Sequence, residues 1–235
     1  MSTSDPARTH APILNYINGE WTPAKSGRTT QNINPANGEL LGEVTASGRE
    51  EADAAVAAAK AAAHGWRKTP APKRGEILAR AAELLIRRKE ELATALTLEE
   101  GKTLVESRGE VQRSINVVNF MSGEGRRLTG ITTESELPNT YCYTRREPLG
   151  VVAVITPWNF PVAIPVWKIA PALVSGNAIV FKPASLTPWT AKIVTEIFND
   201  AGLPPGVLNL ILGSGAIAGD VLVNHPDIAA ISFTG

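Results

Sequence analysis

The sequence predicts an α/β fold whose core is a parallel sheet flanked by helices, laid down over residues 149–235. Two observations predict it. Short, continuously apolar runs at 151–155, 178–181, 207–212 and 228–233 alternate with helical segments near 162–174 and 187–201 and a short helix before the last run. Strands without a polar face are buried on both sides, and helices between them supply the right-handed crossovers that parallel pairing requires. Ligands of such a sheet are expected at the carboxyl ends of its strands.

The elements before this series read differently. Residues 1–12 are polar and small, with neither the apolar core of a secretory signal nor the pattern of a transit peptide, and are expected to form a tail. Ser47-x-x-Glu50 has the form of a capping box, after which Ala52, Val56, Ala59 and Ala63 share a helical face until Gly65. Pro72 is placed to open a second helix with Ile77, Leu78, Ala81, Leu84 and Leu85 inside and a solvated face that includes Arg74, Arg80, Arg88 and Glu91. Leu104, Val111, Ile115 and Val118 mark a third, and Gly123, Gly125 and Gly130 then loosen the chain. Residues 140–146 alternate like an exposed strand, an arm suited to contact between subunits. The expected division is thus a mainly helical part over 1–127, a bridging or oligomerisation arm over 128–148, and the β-α-β part over 149–235.

Composition removes several function classes. Lys plus Arg and Asp plus Glu both number 23, so no global field draws nucleic acid or an anionic membrane. One cysteine, Cys142, leaves no intrachain disulfide framework and fits a reducing, cytoplasmic setting. His10, His64 and His225 have no metal-ligand spacing, and no metal is expected. Residues 149–167 carry no charge, yet Pro157, Pro161 and Pro165 favour a buried strand running into a loop over a membrane span.

Three loops leave predicted strand ends: TPWNFP from Thr156, KPAS from Lys182, and GSGAIAG from Gly213. The glycine loop follows a strand and opens a helix, so its N–H groups suit a phosphate, but its G-x-G-x-x-x-G spacing is one residue longer than the dinucleotide fingerprint and equally describes a turn. Together with WKIAPAL, AGLPPGVLNLILG and ISFTG, these segments resemble the NAD(P)-dependent aldehyde dehydrogenase superfamily in order and spacing over nearly the whole chain. TPAPKRGEILARAAELL and GEGRRLTG resemble its semialdehyde branch, which includes succinic and α-ketoglutaric semialdehyde dehydrogenases.

The resemblance implies a Rossmann-like cofactor-binding domain without its catalytic domain, from an enzyme that oxidises an aldehyde with NAD or NADP through a cysteine thiohemiacetal and thioester. It implies that Asn159 stabilises the developing oxyanion, where a fixed neutral donor is needed. Ile155, Thr156, Pro157, Trp158, Lys182, Ala184, Ser185, Gly215, Gly219, Phe233 and Gly235 are the implied cofactor contacts, with Phe160 and Trp167 along the substrate tunnel and Lys168 in support. Ser185 replaces a ribose-binding carboxylate and leaves room for a 2′-phosphate, so NADP is expected alongside or before NAD. Arg126 or Arg127 is a candidate for the distal carboxylate of a semialdehyde. Cys142, between two tyrosines in an exposed strand, is read as structural; the family's nucleophile and general base are expected beyond Gly235. A homo-oligomer, dimer or tetramer, is implied at full length. The alternatives are a non-catalytic nucleotide-binding or assembly module and a dehydrogenase that passes its thioester to coenzyme A.

Overall fold

The structure, a computed structural model, describes residues 12–235. Except for Pro12, the expected tail lies outside them. Helices occupy most of the first half, but four short strands that the sequence reading does not anticipate precede the first of them. β1 (Asn15–Ile17) and β2 (Glu20–Thr22) form an antiparallel hairpin, and β3 (Thr29–Ile33) pairs with β4 (Leu40–Thr45). The hairpin had a local signal. Asn18-Gly19 joins β1 to β2 with φ of 51° and 90°, the left-handed pair that a tight hairpin turn requires. The strands themselves are three residues long and mix polar with apolar side chains, so periodicity does not reveal them.

Helix α1 (Arg49–Lys68) starts one residue later than its sequence signature suggests. Glu51, not Glu50, reaches back to accept from the Gly48 N–H at 2.8 Å, while the Ser47 hydroxyl donates to Asn15. The helix also continues through Gly65. α2 (Ala71–Arg87) carries Pro72 in its first turn as expected but stops before Arg88, after which α3 (Lys89–Glu100) takes over. Arg88 makes a two-pronged bond to Glu91 and a 2.8 Å bond to Glu196, so it is no solvated residue. Arg74 also departs from its expected place: it is buried and donates to the carbonyls of Val174 and Thr69. α4 (Leu104–Glu124) opens with a Thr103–Glu106 capping box.

β5 (Thr132–Glu134) and β6 (Tyr141–Tyr143) form a separate exposed hairpin over the expected arm. The βαβ series then follows: β7 (Val151–Ile155), α5 (Ala163–Val174), β8 (Ala178–Lys182), α6 (Pro188–Asp200), β9 (Leu208–Leu210), a π-helical turn at Gly215–Gly219, α7 (Asp220–Asn224) and β10 (Ala230–Phe233). The order in the main sheet is β10-β7-β8-β9-β1-β2. Its first four strands are parallel, and the hairpin from the chain start closes the far edge antiparallel, making a mixed sheet where a parallel one was expected.

Alternation along each strand divides the core in two. Val152, Val154, Ile179, Phe181, Leu208 and Leu210 belong to the cluster with α2–α6; Val151, Ala153, Ala178 and Val180 pack with α1 and α7. Helices therefore cover both faces. No helix of the described residues is long and apolar enough to cross a membrane; residues 149–167 are instead β7, a turn and the start of α5.

Candidate functional site

The carboxyl ends of β7, β8 and β9 meet along one edge of the sheet. Ile155 ends β7 opposite Lys182 of β8 and Phe233 of β10, and the buried Thr156 N–H donates to the Lys182 carbonyl at 3.2 Å. Thr156 Oγ1 and Thr187 Oγ1 are both buried without a hydrogen-bond partner. Lys182 is buried, its ammonium donates to the Pro183 carbonyl at 2.8 Å, and burial lowers its pKa. Its stem lies against Gly219: a Cβ there would touch Cδ and Cε at 3.6 Å. Ser185 donates to the Gly213 carbonyl at 3.3 Å, tying the loop after β8 to the glycine loop.

Beside these contacts lies a cavity of about 420 Å³, whose wall includes Ala184, Ser185, Pro188, Gly213, Ile217 and Arg28. At Gly213 a Cβ would meet the Ser47 carbonyl at 2.9 Å, so no side chain fits where the backbone passes beneath the cavity. Gly215 is exposed at the head of the π-helical turn. Arg28 enters this wall from the start of the β3–β4 hairpin, an element that sequence reasoning passed over.

The loop after β7 is built by the helical layer. Pro157 leads out of the sheet, and Trp158 is 51% exposed beside Ser185, Leu186 and Glu99. Asn159 is exposed; its carbonyl accepts from Lys102 at 3.0 Å, and its side-chain amide has no hydrogen bond within the described residues. Lys102 also sits 4.5 Å over the Phe160 ring and 2.6 Å from Glu110. The guanidinium of Arg113 lies 5.0 Å from the centre of the Trp167 ring, whose indole nitrogen is buried and unpartnered. Lys168 donates to Ser232 of β10 at 3.1 Å, and burial lowers its pKa. Lys102, Glu110 and Arg113 carry no motif by themselves; only the packing of α4 along α5 brings them here.

That packing also moves two candidates away. Glu110 and Arg113 of α4 meet residues 162, 163 and 167 of α5 in the same order, so the helices run parallel and α4 ends near the amino ends of the strands. From Glu110 to the end of α4 is about 20 Å at 1.5 Å per residue. Arg126 and Arg127 lie past that end; Arg127 is paired with Glu124 at 2.7 Å. Phe233 is 63% exposed and Gly235 exposed at the end of β10, and Cys142 is half-buried in the β5–β6 hairpin, outside the main sheet.

Known proteins share this arrangement. An α-ketoglutarate semialdehyde dehydrogenase from Haloferax volcanii is 47% identical over 225 residues, covering 95% of this chain and 47% of the relative. The crystal structure of an Escherichia coli NADP dependent enzyme superposes with a TM-score of 0.93 at 38% identity, covering 95% of this chain and 47% of that one. A betaine aldehyde dehydrogenase from Staphylococcus aureus, in complex with NAD+, does so with a TM-score of 0.93 at 38% identity, covering 95% and 45%. The chain thus spans about half the length of the curated relatives it matches. The model of the aldehyde dehydrogenase family matches residues 21–235, and with the fold and strand-end loops described above this chain belongs to that family.

Proposed function

We propose that this chain supplies the nucleotide site and the oxyanion donor of a dehydrogenase that oxidises a semialdehyde to the corresponding acid. The observation that carries the reading is the meeting of the three loops: Lys182 against Gly219, Ser185 against Gly213, a cavity at their side, and an Asn159 amide free of hydrogen bonds within the described residues in the loop after the neighbouring β7. The donor set fits a dinucleotide: a buried ammonium without a carboxylate partner among the described residues, a neutral serine, and the unpartnered buried hydroxyls of Thr156 after β7 and Thr187 at the head of α6. Bound NAD or NADP would supply the hydride acceptor. Ser185 with Arg28 in the cavity wall favours NADP alongside or before NAD, because no carboxylate among the cavity residues repels a 2′-phosphate.

The side chain of Asn159 donates to the aldehyde oxygen as it gains charge, and Phe160 and Trp167 line the approach to it. Because Arg126 and Arg127 lie at the wrong end of α4, the guanidinium of Arg113 is the better receptor for a distal carboxylate. It stacks on Trp167 and has no ion pair among the described residues. Cys142 takes no part. The exposed β5–β6 hairpin, with Tyr141 and Tyr143 on its surface, is proposed as the contact between subunits of a homo-oligomer.

Steady-state kinetics with both nucleotides, on a chain as long as its relatives, tests the reading. Asn159→Ala should lower kcat about 100-fold, the usual cost of losing an oxyanion donor, with nucleotide affinity retained. Arg113→Ala should raise KM for acidic semialdehydes and not for neutral aldehydes. Equal losses of turnover and nucleotide affinity in Asn159→Ala, or a strict preference for NAD, would contradict these assignments.

A further inference from the structure

We infer that Lys102 and Glu110 form a strap that positions Asn159, an inference that rests on the oxyanion reading of that residue. Both oxygens of Glu110 are committed. Oε1 accepts from the N–H groups of Val162 at 2.9 Å and Ala163 at 3.0 Å, and Oε2 accepts from Lys102 at 2.6 Å. The Lys102 ammonium, in turn, donates to the Asn159 carbonyl at 3.0 Å and pairs with Glu100 at 3.3 Å. An ammonium has three N–H bonds to give; Glu110 and the Asn159 carbonyl take two of them, while Glu100 stands by as an ion partner whose Oε2 accepts no hydrogen bond among the described residues.

The loop is thereby held at two points. Its middle is fixed through the backbone of Asn159 and its end through the N–H groups that open α5, while the Asn159 amide stays uncommitted. Preorganisation of this kind fixes a donor before charge develops without spending the donor itself. The strap is also dry: the Glu110 side chain is 1% exposed and that of Lys102 12%. Gly101 allows it. At φ 91° it ends α3 in the left-handed region and turns the chain so that Lys102 faces α4 and α5. A Cβ at Gly101 would also stand 3.0 Å from Pro35.

Lys102 and Glu110 are positioning residues, since their contacts are to the loop and not to a reacting atom. The test is a double-mutant cycle in a chain as long as its relatives, reading kcat, nucleotide Kd and the melting temperature for Lys102→Met, Lys102→Arg, Asn159→Ala and Lys102→Met/Asn159→Ala. Lys102→Met should lower kcat by about 10- to 100-fold, the range for losing a group that orients an active one, with nucleotide Kd within about twofold. Lys102→Arg, which keeps the charge and donors, should recover most of the loss. In the Asn159→Ala background, adding Lys102→Met should lower kcat by less than about threefold, because the amide it positions is gone. Lys102→Gln serves in place of the Met variant if that protein is insoluble, with the same expected outcomes. Fully multiplicative losses in the double variant, or wild-type kcat in Lys102→Met, would overturn the strap while leaving a large Asn159→Ala loss, and the oxyanion reading, intact. Near-normal kcat in Asn159→Ala would overturn that reading and the strap with it.

Discussion

The loops after β7 and β8 are fastened by the same device, and its charge balance differs. In each, a carboxylate from the helical layer accepts the first N–H groups of the following helix: Glu110 those of Val162 and Ala163 at the start of α5, Glu99 those of Trp189 and Thr190 in the first turn of α6. An anion at a helix amino end complements the helix dipole and unpaired donors there. Glu110 has a cation beside it in Lys102. Glu99 has none; its other partners are the Thr190 hydroxyl and the Asn32 amide, and it is completely buried. A buried carboxylate held only by neutral donors retains much of its desolvation cost. Burial accordingly raises the Glu99 pKa from 4.5 to about 7, against the pull of four donors. The loop that presents Asn159 is held by an ion pair, and the loop that carries Lys182 and Ser185 by a carboxylate that titrates near neutrality.

Removing Glu99 should have the largest effect. Glu99→Leu leaves Asn32 Nδ2 and two backbone N–H groups without their acceptor, while the Thr190 hydroxyl keeps the Thr187 carbonyl at 3.2 Å. At about 1–3 kcal/mol for an orphaned buried donor, partly relieved by relaxation, the loss should be about 4 kcal/mol in denaturant unfolding. Nucleotide affinity should fall more than kcat, the reverse of the pattern expected for Lys102. A loss of kcat with nucleotide Kd preserved would erase the contrast between the loops.

A conservative change sharpens the comparison through pH. Because the folded-state pKa of Glu99 is raised, the folded protein holds a proton that the unfolded chain releases between about 4.5 and about 7. Its contribution to stability is present below the unfolded pKa and is lost as pH rises through the folded one, up to about 3 kcal/mol at 1.36 kcal/mol per unit. Melting curves of Glu99→Gln should lack this fall relative to wild type. Parallel curves from pH 4.5 to 8 would show that Glu99 does not titrate in that window.

The smallest effect belongs to the third loop. Ser185→Ala removes one exposed 3.3 Å hydrogen bond to Gly213 and should cost less than about 0.5 kcal/mol in the same unfolding measurement. A loss above about 1 kcal/mol would place the glycine loop with the other two in rigidity.

This contrast also explains what could be read from sequence. β7 and, up to Lys182, β8 are continuous apolar runs, and a buried parallel strand announces itself that way. Asn159, Lys182 and Ser185 lie at or just beyond the ends of such runs; strand position marks the loops, and the resemblance of TPWNFP and KPAS singles out the residues. Lys102 and Glu110 were not legible because each is an ordinary polar residue near the start of a helix; their roles exist only once α4 lies parallel to α5. The same packing puts Arg126 and Arg127 past the end of α4 that lies away from Asn159, and Arg113 beside Trp167, although GEGRRL looks more distinctive than the lone Arg113. Arg74 and Arg88 mislead for a related reason, since helical periodicity assigns a charge to solvent and cannot show the carbonyls of Thr69 and Val174 or the carboxylate of Glu196 waiting across the interface.

The β1–β9 pairing at the far edge of the sheet bears on the order of assembly. Asn15 accepts from the Leu212 N–H at 2.8 Å across 197 residues of chain, and Tyr16 pairs with Leu210 and reaches Asn199 with its hydroxyl. Such a contact gains nothing until nearly the whole segment between its partners has been organised, so loop-closure entropy places it late in folding. β1, although made before β7, β8 and β9, is thus among the last strands to join the sheet. Changes at Asn15 or Tyr16 should then speed unfolding while leaving the folding rate nearly untouched.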